Sequence, residues 1–341
     1  MTVILLALPT ARAQYVETEP NNDKTAADIL NLGSATSATI SGTSANNTAA
    51  ENDYFRINTA YTTPGIYVNQ LQFNNASANV GSIRALTQTA GTINAGTDAI
   101  FQSTLSTGNA TPYGFNQYYS FGGAGKTQSV CYKVVGNSSA TGGVYTATFM
   151  STRITPTNIG SFRPGRMTLA ATSNVGSSGV ATDTSVAVFD ANFNVYYDNV
   201  AGSSTPGYAA SNNNAATGVS GFSLNRAFVP GTYYMAIGIN NLATNQPAAP
   251  DDTTRGNSVL DFANVVATSN TFYNGNNGNT RPSDFTVTDG SGNTYTSSGQ
   301  VVPSLYALNF YTFTVTAVPE PGTVAALAIG GLMLAAYRRR R

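Results

Sequence analysis

Residues 318–341 constrain this chain most, because they do not belong inside a water-soluble fold. They open with Val318-Pro319-Glu320-Pro321-Gly322, run uncharged and largely apolar over 322–337, and close on Arg338, Arg339, Arg340 and Arg341. The two prolines fix φ and bias the residues before them towards extended backbone, so the Pro-Glu-Pro step is predicted to stay an open strand that an enzyme can grip. As a helix the apolar run is roughly 24 Å long, against a hydrocarbon core of about 30 Å. Tyr337 at the interface and snorkelling arginines extend its reach, which predicts a single short transmembrane helix. Positive charge stays cytoplasmic, so everything before Val318 is predicted to lie outside.

Those three parts, in that order, resemble a PEP-CTERM sorting signal. The resemblance implies that exosortase, a membrane transpeptidase, recognises the Pro-Glu-Pro segment and removes the helix and basic tail. The protein is then released or attached at the surface, in bacteria that make exopolysaccharide and biofilm matrix. A plain C-terminal membrane anchor is the alternative. The other end agrees with export: an apolar run over 3–8 leads to Ala11-Arg12-Ala13, an A-x-A pattern for cleavage before Gln14. Residues 1–13 thus read as a signal peptide without its basic start.

Charge excludes one class of partner. Sixteen basic and sixteen acidic residues balance overall, but Arg12, the four terminal arginines and Glu320 lie in the end segments, which leaves the middle near −4. With three lysines and no basic stripe, nucleic acid is not an expected partner. Catalysis is narrowed as sharply. There is no histidine, hence no Ser-His-Asp or Cys-His arrangement, and the single Cys131 builds no thiolate cage or intrachain disulfide. Cys131 sits in Gln128-Ser-Val-Cys-Tyr-Lys-Val-Val135, where alternation predicts either a small apolar filler or a partly exposed thiol.

Between the two signals, short runs of Val, Tyr, Phe and Thr are punctuated by glycine and asparagine. That pattern predicts an all-β fold of one or two antiparallel β-sandwich domains, plus the C-terminal transmembrane helix. One helical turn is predicted in Thr25-Ala-Ala-Asp-Ile-Leu30. Glu19-Pro20-Asn21-Asn22, Asp53-Tyr54-Phe55, Val186-Ala-Val-Phe-Asp190 and Pro230-Gly231-Thr232-Tyr233-Tyr234 resemble, in this order, the landmarks of bacterial pre-peptidase C-terminal (PPC) domains, which implies small β-sandwiches. Their spacing is too wide for one copy. The reading is therefore two PPC-like sandwiches, 14–155 and 156–317, closed by matching strands: Tyr145, Ala147 and Phe149 form the apolar face of one, and Tyr233, Met235, Ile237 and Ile239 that of the other. Polar stretches over 243–258 and 269–284 are predicted loops.

Calcium is the metal to expect, since it takes oxygen ligands and the destination is extracellular. Asp251, Asp252 and Asp261 are candidate ligands, as are Asp190, Asn192 and Asp198; Asx-turns are the competing explanation. Otherwise no cofactor is expected. Tyr113, Phe115, Tyr118 and Tyr119, or Tyr196 and Tyr197, are candidate platforms for stacking sugars. Three functions follow: an exported, non-catalytic cell-surface or biofilm-matrix protein, sorted by exosortase; a carbohydrate-binding module of the exopolysaccharide matrix; or a secreted hydrolase whose acids are unidentified. The first is preferred, with exosortase and, before processing, the membrane as partners.

Overall fold

A computed structural model describes residues 13–22, 26–44, 52–76, 80–85, 101–104, 115–123, 125–136, 143–172, 184–198, 207–212, 221–239, 242–244, 265–268, 281–302 and 308–317. All regular elements among them are β-strands. The expected transmembrane helix lies outside the described residues, among which no helix is long and apolar enough to cross a membrane.

The first ten strands are β1 (Ala13–Val16), β2 (Asp28–Gly33), β3 (Ser37–Ser44), β4 (Asp53–Thr59), β5 (Gly65–Ala76), β6 (Val80–Ala85), β7 (Phe101–Thr104), β8 (Phe115–Gly122), β9 (Gln128–Gly136) and β10 (Gly143–Ile154). One sheet runs β1-β3-β10-β5-β8 and another β2-β4-β9-β6-β7. Period-two alternation sends one side of each strand inward. Ile40, Leu71 and Phe149 of the first sheet meet Phe55, Ile57 and Tyr132 of the second in one buried cluster. Burying each such side chain contributes about 1.5–3 kcal/mol.

A second pair of sheets follows. The later strands of the chain are β11 (Thr157–Phe162), β12 (Gly165–Ala171), β13 (Thr184–Phe189), β14 (Tyr197–Asp198), β15 (Gly207–Tyr208), β16 (Ala210–Asn212), β17 (Ser223–Phe228), β18 (Gly231–Ile239), β19 (Ala243–Thr244), β20 (Val265–Thr268), β21 (Arg281–Pro282), β22 (Phe285–Asp289), β23 (Thr294–Thr296), β24 (Val301–Val302) and β25 (Asn309–Val315), of which β14-β15 and β21-β24 form two-stranded sheets of their own. Sheets β11-β25-β18-β13-β16 and β17-β12-β22-β23 enclose a second cluster that includes Met167, Leu169, Met235, Phe285 and Phe313.

The halves are not independent. β20 pairs with β8, and β19 with β20, so the later part of the chain extends the first sheet to seven strands. A third buried cluster joins Ile66, Tyr119 and Phe121 to Phe189, Leu308 and Phe310. Across it the Tyr119 hydroxyl accepts a hydrogen bond from the Leu308 amide at 2.9 Å.

Several expectations need correction. Where a helical turn is expected over 25–30, residues 28–30 are instead the start of β2: Ile29 is exposed and Leu30 buried, a period of two, and β2 lies parallel to β4; Thr25 lies outside the described residues. The sheets are mixed rather than purely antiparallel, because β1, β2 and β11 each join a neighbour in parallel. The stretches expected to be loops carry strand at Ala243–Thr244 and Arg281–Pro282; their other residues lie mostly outside the described ones. Cys131 is buried among the first cluster as a filler.

Candidate functional site

Where β1 ends, its ladder continues for one residue, with Glu17 N donating to Ser41 O at 3.0 Å. That places the Glu17 side chain over Gly42 and against Tyr145, which are themselves cross-strand partners on β3 and β10. A Cβ at position 42 would collide with both the Glu17 carboxylate and the Tyr145 hydroxyl, so only glycine admits this approach. Glu17 accepts hydrogen bonds from the Thr43 amide, from Thr43 Oγ1 at 3.1 Å and from Tyr145 Oη at 3.0 Å.

The chain then turns back across β4. Tyr54 N donates to Asn21 O at 3.1 Å, and Asn21 Nδ2 donates to Asp28 Oδ2 at 3.1 Å. Thr18 N donates to the same Asp28 oxygen at 2.9 Å. This return brings Glu17, Glu19 and Asp53 together, each offering a carboxylate oxygen within 4.8 Å of the others.

Asp53 is the unusual member. It is 0% exposed, sits at the head of β4, and neither of its carboxylate oxygens has a hydrogen-bond partner. Burial, and then the charge of Glu17, push its carboxyl up to about 9. Burial also raises the Tyr145 hydroxyl well above the ordinary tyrosine range. Three more oxygens on the same two segments are buried without partners: Oδ1 of Asn21, Asn22 and Asn52. Were both ionised, Glu17 and Asp53 within 4.8 Å would repel by about 3 kcal/mol at an effective dielectric near 20, which, on top of burial, is why Asp53 keeps its proton when no cation is bound. Unpartnered buried oxygens add a cost of about 1–3 kcal/mol each.

A divalent cation removes both penalties. The available donors are carboxylate and amide oxygens, a hard set that suits Ca²⁺, which accepts six to eight oxygens in flexible geometry, better than Zn²⁺. The three carboxylates Glu17, Glu19 and Asp53 therefore fit a calcium ion as charged ligands.

The ligands predicted from sequence fare differently. Asp251, Asp252 and Asp261 lie outside the described residues. Asp190 Oδ1 accepts from the Asn192 and Asn194 amides at 2.8 and 3.0 Å, an Asx-turn. Asp198 is buried and accepts from Ala227 N at 2.9 Å. Asp289 likewise closes its own turn: burial pushes its carboxyl up, but bonds from Ser291 Oγ and from the Arg163, Ser291 and Asn293 amides outweigh that and hold it down at about 2.

Of the proposed sugar platforms, Tyr119 is buried and half-buried Tyr196 stacks on Phe228. Tyr197 is 47% exposed but meets Tyr208 edge-on at 75°, which leaves no coplanar row there. Tyr113 and the side chains of Phe115 and Tyr118 lie outside the described set. Ala13 and Gln14 of the expected cleavage site belong to β1, opposite Ala38 and Thr39; Ala11 lies outside, as do the sorting residues 318–322 and the arginine tail.

Sequence reading did not bring the three carboxylates together because Glu19 and Asp53 looked like landmarks of strand order. The available signal was an aspartate directly ahead of the buried pair Tyr54-Phe55 at the start of a strand, where an unpaired charge is costly.

Fold and site thus define a mixed-sheet β-protein with a cluster of three carboxylates at the amino end of its first core. Residues 317–341 match the PEP-CTERM protein-sorting motif, a signal that implies recognition by exosortase, export and sorting to the cell envelope. No curated protein matches the chain.

Proposed function

We propose that this is a non-catalytic structural protein of the cell surface or extracellular matrix, carried out of the cytoplasm, sorted through Pro319-Glu320-Pro321, and held in shape by calcium. The observation that carries the sorting half is the motif match over 317–341. The extracellular half is supported by the pocket at Glu17, Glu19 and Asp53, because calcium modules of millimolar to sub-millimolar affinity work where that ion is plentiful. The two sandwiches are PPC-like in this reading, supported by the positions of Asp53-Tyr54-Phe55 on β4 and of the closing strands β10 and β18. No catalytic step is assigned to the acids: Glu17 is engaged by Thr43 and Tyr145, and Asp53 is buried.

The experiment is replacement of Pro319 and Pro321 by alanine in the native host. The expected product is an uncleaved chain retained in the membrane; normal release of the double variant would sink the sorting assignment.

A further inference from the structure

Where the two halves meet, a notch of about 140 Å³ is lined by residues that include Pro64, Gly65, Arg153, Pro156, Phe193 and Tyr234. Several independent features converge on it. Phe193 has φ 67°, the one left-handed non-glycine backbone among the described residues, and such outliers concentrate at functional sites. The Asp190 turn imposes that conformation: its backbone carbonyl accepts from Phe193 N at 2.9 Å, while its carboxylate holds the Asn192 and Asn194 amides. The Phe193 ring then lies against Tyr234, with centroids 4.5 Å apart, and stacks on Phe121.

The charged side chain that lines the notch, Arg153, is positive; beside Phe193 stand Lys126 and the Asp190 carboxylate, the latter already engaged by its own turn. Lys126 Nζ stands 5.5 Å from the Phe193 ring centre and donates to Asn192 O at 2.9 Å. Arg153 is exposed and has no hydrogen-bond or ion-pair partner among the described residues. Its Nε lies across Gly65 so closely that a Cβ there would sit 2.5 Å away. No acidic residue lines the notch.

We propose that this notch binds a carboxylate-bearing pyranose, the uronic acid unit of an acidic polysaccharide. Arg153 takes the carboxylate through its fork of N–H donors. Phe193 and Tyr234 offer ring surface to the C–H face of the sugar, and Lys126 adds long-range attraction. The notch is smaller than the 300 Å³ or more of drug-sized sites, so it holds one edge of a unit whose chain continues into solvent. The surface-protein reading supplies only the place where such a ligand is met.

The test is calorimetric titration of the purified full chain in detergent, with trigalacturonic acid and separately with its neutral methyl ester. Chelator is present throughout, so that calcium bridging at the Glu17 pocket contributes nothing. The acid is expected to bind at least tenfold more tightly than the ester. Arg153→Gln should weaken the acid tenfold or more at an unchanged melting temperature, with Arg153→Lys recovering part of the loss. Equal binding of acid and ester, unchanged binding in Arg153→Gln, or no binding of the acid at millimolar concentration overturns the proposal. A failure of sorting would show separately, as an uncleaved carboxyl end in cells, and would leave these titrations unaffected.

Discussion

Glu17, one residue past β1, and Asp53, at the head of β4, bring carboxylate oxygens within 4.8 Å of each other, one held by a tyrosine and a threonine, the other buried with neither oxygen hydrogen-bonded. A fold that assembles such a pair gains when a cation enters between them. Calcium is expected to raise the melting temperature and chelation to lower it. At a hundred times the dissociation constant the gain is about 2.7 kcal/mol, which in a chain of this size is a shift of roughly 4 °C. A scanning calorimetry trace indifferent to calcium and to chelator would remove the ion from this pocket.

The effect has a pH dependence of definite sign. Without the ion, Asp53 titrates near 9 in the folded chain against about 4 unfolded, so the folded state holds the extra proton between those values. Stability of the calcium-free protein from this group therefore falls as pH rises from about 4 towards 9. Calcium competes with that proton, so its stabilising effect should grow over the same window. Melting temperatures with and without calcium, taken from pH 5 to 8, check this; a gap that narrows with rising pH contradicts it. Asp53→Asn should flatten the dependence.

Gly42→Ala is expected to reproduce chelation without replacing a ligand. The added methyl displaces Glu17 from Tyr145, and the variant should lose most of its response to calcium. An equilibrium dialysis experiment that finds the same bound calcium in Gly42→Ala and wild type would count against this geometry.

How far the sequence discloses all this depends on the range of the interaction. Tyr145, Ala147 and Phe149, or Tyr233, Met235 and Ile237, announce their strands because a buried face repeats every second residue within one segment. The sorting motif is equally local. In contrast, Glu17 meets Asp53 only after β1 has joined β3 and the chain has crossed β4, a relationship with no local period. β2 was misread because Thr25-Ala-Ala-Asp is compatible with a helical turn, and the parallel pairing with β4 decided otherwise. The seam at Phe121, Phe189 and Phe310 was invisible for the same reason.

That seam predicts cooperative unfolding. Phe121→Ala should cost about 3–5 kcal/mol and lower a single transition, not only the part assigned to the first core. Two separated transitions in the wild-type protein would show that the shared cluster does not couple the halves.

Asp289 ties the turn after β22 to Arg163 N, and its folded carboxyl lies at about 2. A depressed group gives stability that is complete above its unfolded value near 4 and is lost as pH falls towards 2. Asp289→Ala should cost about 1–2 kcal/mol at neutral pH and less below pH 3. Chemical denaturation at pH 7 and pH 2.5 measures the difference; an equal loss at both would assign the cost to packing instead.

Most direct of all is the intact mass of the protein recovered from the outside of its own cells. A chain beginning at Gln14 and ending within Pro319-Glu320-Pro321, with or without an attached group, is the predicted result. A chain that still ends at Arg341 would contradict it and make the tail a plain anchor.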